Sequence, residues 1–253
     1  MNNRIAFNTA NFVARVSGYR FSLARWGEQH ARTVAATAEA AWRAICHDIA
    51  RAGYTAVEVW EAHASPDALS HTQALVWREI MDEAGLAPAG YAGQLNERTV
   101  QVCRWLGIDR INGGLSLPPA EAAGLCRESG VRFHFENHPE KSAAEIQDKI
   151  GGGSEFVGVC IDTGWLGTQN VSAPDTIRAL GSLVRSVHVK DVRAPGGHET
   201  CRLGEGVVDL PGTFAALREI GYNGWYSWED EPEDRNPLDT AEENRAWIEA
   251  RLA

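Results

Sequence analysis

Phe133-His134-Phe135-Glu136-Asn137-His138 is a strand-like apolar run that gives way to a carboxylate, and three later segments repeat its plan. They are Val159-Cys160-Ile161-Asp162-Thr163, Val187-His188-Val189-Lys190-Asp191 and Tyr226-Ser227-Trp228-Glu229-Asp230. Each puts one carboxylate or imidazole where a buried strand ends. Burying a charge is costly unless something pairs with it. Four such interruptions read as four strands converging on one charged centre, and a divalent cation would serve as its partner.

Strand and helix signals alternate outward from these segments along the whole chain. Strands are predicted over 4–10, 56–62, 87–92, 110–113, 132–137, 157–163, 184–192 and 225–231. Helices are predicted over 33–52, 66–84, 96–106, 119–129, 143–150, 173–180, 210–220 and 240–252. Gly53, Gly85, Gly107, Gly130, Gly181 and Gly221 each close a helix, where a left-handed residue satisfies the last carbonyls. Ser65 before Pro66, and Asp239-Thr240, read as N-terminal caps. Strands alternating with helices demand a parallel sheet. Eight units in 253 residues argue for closure into one (β/α)8 TIM barrel, a single domain over 1–253. An open doubly wound sheet is the alternative, but Phe7-Asn8-Thr9-Ala10-Asn11 lacks the glycines of a dinucleotide-binding turn. The polar and aromatic segment 17–32 shows no helical periodicity and reads as a long loop over the barrel mouth.

Composition narrows the function classes. The formal net charge of -10 disfavours nucleic acid or an anionic membrane as partner. The five cysteines are odd in number and form no CxxC pair, which reads as free thiols in a reducing cytosol. No apolar run reaches membrane-spanning length, and Met1-Asn2-Asn3-Arg4-Ile5 leads directly into a strand without the charged and apolar regions of a signal peptide. The expected location is cytoplasmic.

In a barrel the strand C-termini share one face, where active sites lie. Glu136, Asp162, His188 and Glu229 come from consecutive strands and make a mixed oxygen-and-nitrogen donor set of formal charge -3. The set suits one divalent ion. Three carboxylates and no thiolate put Mn(II) first, with Mg(II), Co(II) and Zn(II) open.

At these residues the chain resembles the sugar phosphate isomerase/epimerase family, the xylose-isomerase-like barrels. The matching pieces are Glu136-Asn137-His138-Pro139, Asp162-Thr163-Gly164, His188-Val189-Lys190-Asp191, Leu203-Gly204-Glu205-Gly206 and Ile220-Gly221-Tyr222-Asn223-Gly224-Trp225, followed by Glu229. Upstream, Gly53-Tyr54-Thr55-Ala56-Val57-Glu58 matches the entry to the second strand. The resemblance implies that Glu136, Asp162, His188 and Glu229 bind the metal. It also implies proton abstraction beside a metal-bound carbonyl, through an enediolate, with Glu136 and Glu229 as the acid–base pair. The expected activity is an isomerase or epimerase of a small sugar, keto-sugar or keto-polyol, and a phosphorylated substrate is not favoured. The alternative is a lyase or dehydratase on a keto-sugar or keto-inositol, including cleavage of 3-keto-glycosides or C-glycosides. An abasic-site endonuclease is a related barrel, but this acidic chain has too few histidines at the right strand ends. A homo-oligomer is expected from the family.

Trp165 departs from the pattern, because many members have a histidine three residues after the strand-six aspartate. A flat apolar ring there suggests stacking on a sugar face or an aglycone. Trp60, His63, His138, Lys190 and Arg193 are the remaining candidates for substrate binding. Glu58 could face the mouth, Glu205 could orient a ligand, and Trp26 and Trp228 lie near strand ends or mouth loops.

Overall fold

The computed structural model describes residues 4–252. The opening residues 1–3, part of the segment on which the expectation of no signal peptide rests, lie outside the described residues. Eight parallel strands close into a barrel in chain order. They are β1 (Ile5–Asn8), β2 (Ala56–Trp60), β3 (Ala87–Ala92), β4 (Arg110–Gly113), β5 (Arg132–Glu136), β6 (Val157–Asp162), β7 (Val184–Val189) and β8 (Tyr226–Trp228). Among the described residues ten α-helices surround and connect them: α1 (Trp26–Ala36), α2 (Glu39–Arg51), α3 (His71–Glu83), α4 (Glu97–Leu106), α5 (Pro119–Ser129), α6 (Ala143–Lys149), α7 (Thr163–Thr168), α8 (Ala173–Leu180), α9 (Leu210–Glu219) and α10 (Leu238–Leu252). Among the described residues no helix is long and apolar enough to cross a membrane.

Strand alternation sorts the side chains into two environments. Phe7, Val57, Val59, Tyr91, Ile111, Phe133, Val159, Val187 and Trp228 belong to one continuous apolar cluster with the buried faces of the helices. That annulus is the main hydrophobic core. The lumen is different. Ala6, Ala56 and Ala89 form a small separate cluster there, and Asn8, Glu58, Asn112, His134, Ser186 and Ser227 are all buried. The barrel therefore carries polar chemistry along its axis, while its stability comes mainly from the ring of apolar packing outside it.

The elements differ from expectation in several places. Segment 17–32 is not a loop throughout: it holds a 3-10 turn at Leu23–Arg25 and the start of α1. Its periodicity was hidden because the buried face of α1 is Gln29 and Thr33 rather than aliphatic. Gln29 Nε2 donates to Val13 O at 2.7 Å. The helix expected over 33–52 splits at Thr37-Ala38, where the Thr37 hydroxyl bonds back to Thr33 O at 2.7 Å. Ser65 is not a cap. Ser70 caps α3 in a reciprocal box with Gln73. The last helix starts at Leu238, so Asp239 lies within its first turn.

The six helix-closing glycines all have positive φ, as the end signals require. A stricter demand falls on Gly113 at the end of β4. Its φ is 151°, and a Cβ there would lie 2.2 Å from Gly93 O. Gly124, inside α5, has open space where a Cβ would go. Gly113→Ala is expected to lower unfolding free energy by about 2 kcal/mol or more. Gly124→Ala should raise it by about 0.5–1 kcal/mol, and urea denaturation of both variants checks the pair.

Candidate metal centre

Four side chains from adjacent strand ends meet in the lumen. One ligand atom from each of Glu136, Asp162, His188 and Glu229 lies within 4.8 Å of the others, and all four residues are buried. His188 Nδ1 is 2.9 Å from both Glu136 Oε1 and Glu229 Oε2. Its other nitrogen, Nε2, is 3.0 Å from Glu58 Oε1 on β2. Glu58 in turn accepts from Asn112 Nδ2 at 2.7 Å. The carboxylate Glu58 therefore fixes the imidazole from behind, leaving Nδ1 toward the other three donors.

Short side chains hold the strand ends in register. Asn137 Nδ2 donates to Asp162 O at 3.0 Å while its Oδ1 accepts from Asp162 N at 3.0 Å, joining β5 to β6. Thr163 Oγ1 accepts from Lys190 N at 2.9 Å and donates to Lys190 O at 2.6 Å, joining β6 to β7. Asn11 Nδ2 donates to Trp228 O and its Oδ1 accepts from Asp230 N, joining the end of β1 to β8. Asn8 Nδ2 donates to Glu229 Oε1 at 2.9 Å. Asp191, just past β7, accepts from the backbone of Val192, Gly204, Gly206 and Val208 and so pins the following loop. A Cβ on Gly206 would lie 2.2 Å from Asp191 Oδ1, which explains the glycine in Leu203-Gly204-Glu205-Gly206.

Lys190 reaches into the same centre. Its ammonium is 3.0 Å from Asp162 Oδ2, 3.3 Å from Glu229 Oε2 and 2.7 Å from Glu231 Oε2. A Cβ on Gly164 would lie 2.5 Å from the Lys190 stem, so only glycine lets that side chain pass. Burial pushes the Glu136 and Glu229 carboxyls up, but His188 with His138 at the first, and His188 with Lys190 at the second, outweigh it and hold both below the usual range. Burial dominates at Asp162 and raises it despite Lys190. For His188 burial acts downward, but the anionic surroundings prevail and hold it well above an ordinary imidazole. Burial lifts Glu231 to about 7, against Lys190.

The donor set fits a hard divalent cation. Asp162 Oδ2 and Glu229 Oε2 are buried and accept no well-aligned hydrogen bond among the described residues. Asp162 Oδ1 is already used by Trp165 N at the start of α7, so Oδ2, which faces the Lys190 ammonium at 3.0 Å, is the atom an ion would take. Three carboxylate oxygens and one imidazole nitrogen are the ligand types that such ions take.

Above the centre is a cavity of about 360 Å³. Trp26, Trp60, His138, Trp165, Glu61, Glu136, Glu229 and Glu231 are among its lining residues, and no lysine or arginine is. Trp60, His138 and Trp165, singled out in the sequence, thus meet at the mouth. The Trp165 ring lies edge-on between His138 at 5.2 Å and His198 at 4.7 Å. Arg193 is not at the mouth: it is half exposed and pairs with Glu199 at 3.4 Å, because the turn after β7 carries it outward. Glu205 is exposed beside Arg202. Trp228 packs on Phe7 and Tyr54 in the outer core. His63 is 3% exposed, bonded to Thr9 Oγ1 at 3.0 Å and packed on Trp42 and Trp60, so it supports the mouth from below rather than lining it. Glu58 as the orienting carboxylate and Glu231 as the partner of Lys190 are additions that the spacing pattern did not pick out.

The chain matches the family described as xylose isomerase-like TIM barrel over residues 46–251. A 77-residue segment is 40% identical to the L-ribulose-5-phosphate 3-epimerase of Salmonella paratyphi C, covering 29% of this chain and 26% of that relative. The alignment thus spans about a quarter of the curated relative's length. Among solved structures, an L-ribulose 3-epimerase superposes with a TM-score of 0.72 at 16% identity, over 99% of this chain and 94% of that one. A D-allulose 3-epimerase from Methylomonas sp. gives 0.71 at 16% identity, over 99% and 98%.

Two outcomes follow from the geometry. Glu58→Gln should weaken manganese binding by about 10–100-fold in calorimetry, whereas Glu205→Gln leaves it unchanged. Burial lowers His63 to about 3. The unfolded chain takes up that proton near pH 6.5 and the folded chain does not. Stability contributed by neutral His63 is therefore present above about pH 6.5 and lost as pH falls toward 3, at about 1.4 kcal/mol per unit. Denaturation of His63→Phe across this window should show a correspondingly shallower slope than the parent.

Proposed function

We propose that this chain, which belongs to the xylose isomerase-like TIM barrel family, is a metal-dependent epimerase acting beside the carbonyl of a small, unphosphorylated ketose. The observation that carries the reading is the pair Glu136 and Glu229, held across one buried donor cluster and opening on one cavity. Bound by Glu136, Asp162, His188 and Glu229, a divalent ion would supply a Lewis acid that polarises the substrate carbonyl.

The remaining work falls to the protein's own residues. Glu136 and Glu229 approach from β5 and β8, on different sides of the cluster. One carboxylate takes the proton from the carbon next to the carbonyl, and the other, protonated, returns one to the opposite face. The net change is inversion at that carbon with no change in composition. A positioned acid–base pair contributes about 10²–10⁴-fold in rate. Asp162 and His188 hold rather than transfer, since their second atoms are committed to Trp165 N and Glu58. Lys190, held among Asp162, Glu229 and Glu231, keeps a positive charge beside these carboxylates. Trp60 and Trp165 present flat apolar faces to the C–H side of a sugar ring or chain.

The mouth argues against a phosphate on the substrate. Its charged lining is Glu61, Glu136, Glu229 and Glu231, without an arginine or lysine. A phosphate dianion entering there would meet like charge in a partly dehydrated space. The L-ribulose and D-allulose 3-epimerases among the solved structures agree with a free ketose, while the curated relative is a 5-phosphate epimerase. Five buried, unpaired cysteines agree with a reducing cytoplasm.

Manganese-loaded protein incubated with free ketoses in deuterium oxide should place one deuterium at the epimerised carbon, read by NMR. Release of a fragment with no epimer would point to elimination, and no exchange with any ketose would end the enzymatic reading. Chelation should abolish turnover and added manganese restore it. Glu136→Gln and Glu229→Gln should each lose about 10²-fold or more in kcat, and a ketose 5-phosphate should show at least about tenfold lower kcat/KM than its free sugar.

A further inference from the structure

The end of the barrel away from the metal centre carries an inverted counterpart of it. Arg4 precedes β1, Arg110 opens β4, Arg132 opens β5 and Arg185 is the second residue of β7. Arg110 and Arg132 are register partners on adjacent strands. All four line one cavity of about 480 Å³, whose wall also includes His134 and Tyr222. Against these guanidiniums stand Glu155 in the lining and Asp109, which pairs with Arg110 at 2.7 Å and Arg132 at 3.4 Å. In a chain of net charge -10, this is a local excess of positive charge.

The decisive atom is His134 Nε2. The residue is 2% exposed, and Nε2 has no hydrogen-bond partner among the described residues. Its state follows from its neighbours. Asn112 donates its amide Nδ2 to Glu58 Oε1, which leaves Asn112 Oδ1 facing His134 Nδ1 at 3.0 Å. Nδ1 therefore carries the hydrogen, shared with Ser186 Oγ at 2.8 Å, and Nε2 is the bare acceptor. A buried acceptor left without a donor is costly. Backbone tying accounts for part of the arginines, since Arg4 donates to Asn223 O and Arg185 to the carbonyls of Ser154 and Glu155. It gives no partner to Nε2. Gly158 makes the space: a Cβ there would lie 2.7 Å from Arg185 Cδ.

We propose that this cavity is a second ligand site, taking a small phosphate-class oxyanion that carries one O–H. The guanidiniums match the oxygens with charge-assisted hydrogen bonds, and the O–H donates to His134 Nε2. Hydrogenphosphate has both features, as does a phosphate monoester with a neighbouring hydroxyl. The site is independent of the reading of the metal centre, although the two share one column of hydrogen bonds: His188, Glu58, Asn112, His134.

Magnesium-loaded protein, labelled with 15N, is titrated at neutral pH with inorganic phosphate, glycerol 3-phosphate and sulfate. The expected result is saturable movement of the Gly158, Tyr222 and Gly224 amide signals with phosphate or its ester, whichever binds tighter identifying the natural form. Sulfate carries no proton at that pH and should bind more weakly. Arg132→Glu, half exposed and outside the catalytic machinery, should weaken phosphate binding by about tenfold, with Arg4→Ala as a second variant if the first alters the spectrum at large. The proposal is overturned if the movement is absent, if it is confined to the mouth, if sulfate equals phosphate, or if both variants bind as the parent does.

Discussion

Carboxylates packed together in the lumen repel one another, and much of the structure around them answers that repulsion. Glu58, Glu136, Asp162, Glu229 and Glu231 lie around two basic side chains, His188 and Lys190. Each carboxylate has at least one oxygen spoken for: Glu58 by Asn112 and His188, Glu136 by His188, Asp162 by the start of α7, Glu229 by Asn8, Glu231 by Lys190. Asp162 Oδ2 and Glu229 Oε2 meet only ion-pair contacts from Lys190 and His188 and no aligned hydrogen bond, so they are the atoms a divalent ion would take. Removing one member of such a set exposes the others to uncompensated charge, which costs more than a single hydrogen bond.

The strand ends stay in place because polar side chains join neighbouring strands where backbone pairing stops. Asn137, Thr163 and Asn11 each bond across to backbone at a neighbouring strand's end. A net hydrogen bond of this kind is worth about 1 kcal/mol, but its value here is positional. The ligand atoms are fixed relative to one another before any ion arrives, as preorganisation requires. The residues that follow the ligands in the sequence motifs, Asn137 after Glu136 and Thr163 after Asp162, are thus part of the centre without touching it.

The architecture and the four-residue centre were legible because both depend on local pattern. A buried strand announces itself by apolar alternation, and a carboxylate at its end is conspicuous. Residues whose roles depend on distant partners were not legible. Glu58 looked like one of three candidates near the end of β2 until β7 brought His188 beside it. His63 shares that segment, yet Thr9 and the surrounding tryptophans draw it into the core. Arg193 follows Lys190 by three, but the turn after β7 takes it outward. The start of α1 was missed because its inward face is polar, so the usual apolar stripe is absent. The barrel's N-terminal end gave no signal, since its arginines come from four separate strand starts.

Asn112 gives the axis of the barrel a direction. Its amide has a hydrogen side and an oxygen side, and Glu58, as an anion, can receive only the first. That choice propagates upward through Glu58 to the back nitrogen of His188, and downward to the nitrogen on which His134 carries its hydrogen. The imidazole facing the three acidic ligands is therefore set by folding and not by an arriving ion. A divalent ion bound there would take the front nitrogen, and any proton it displaced from His188 would come from that atom. Binding of an ion would then be a local swap of charge between that proton and the metal.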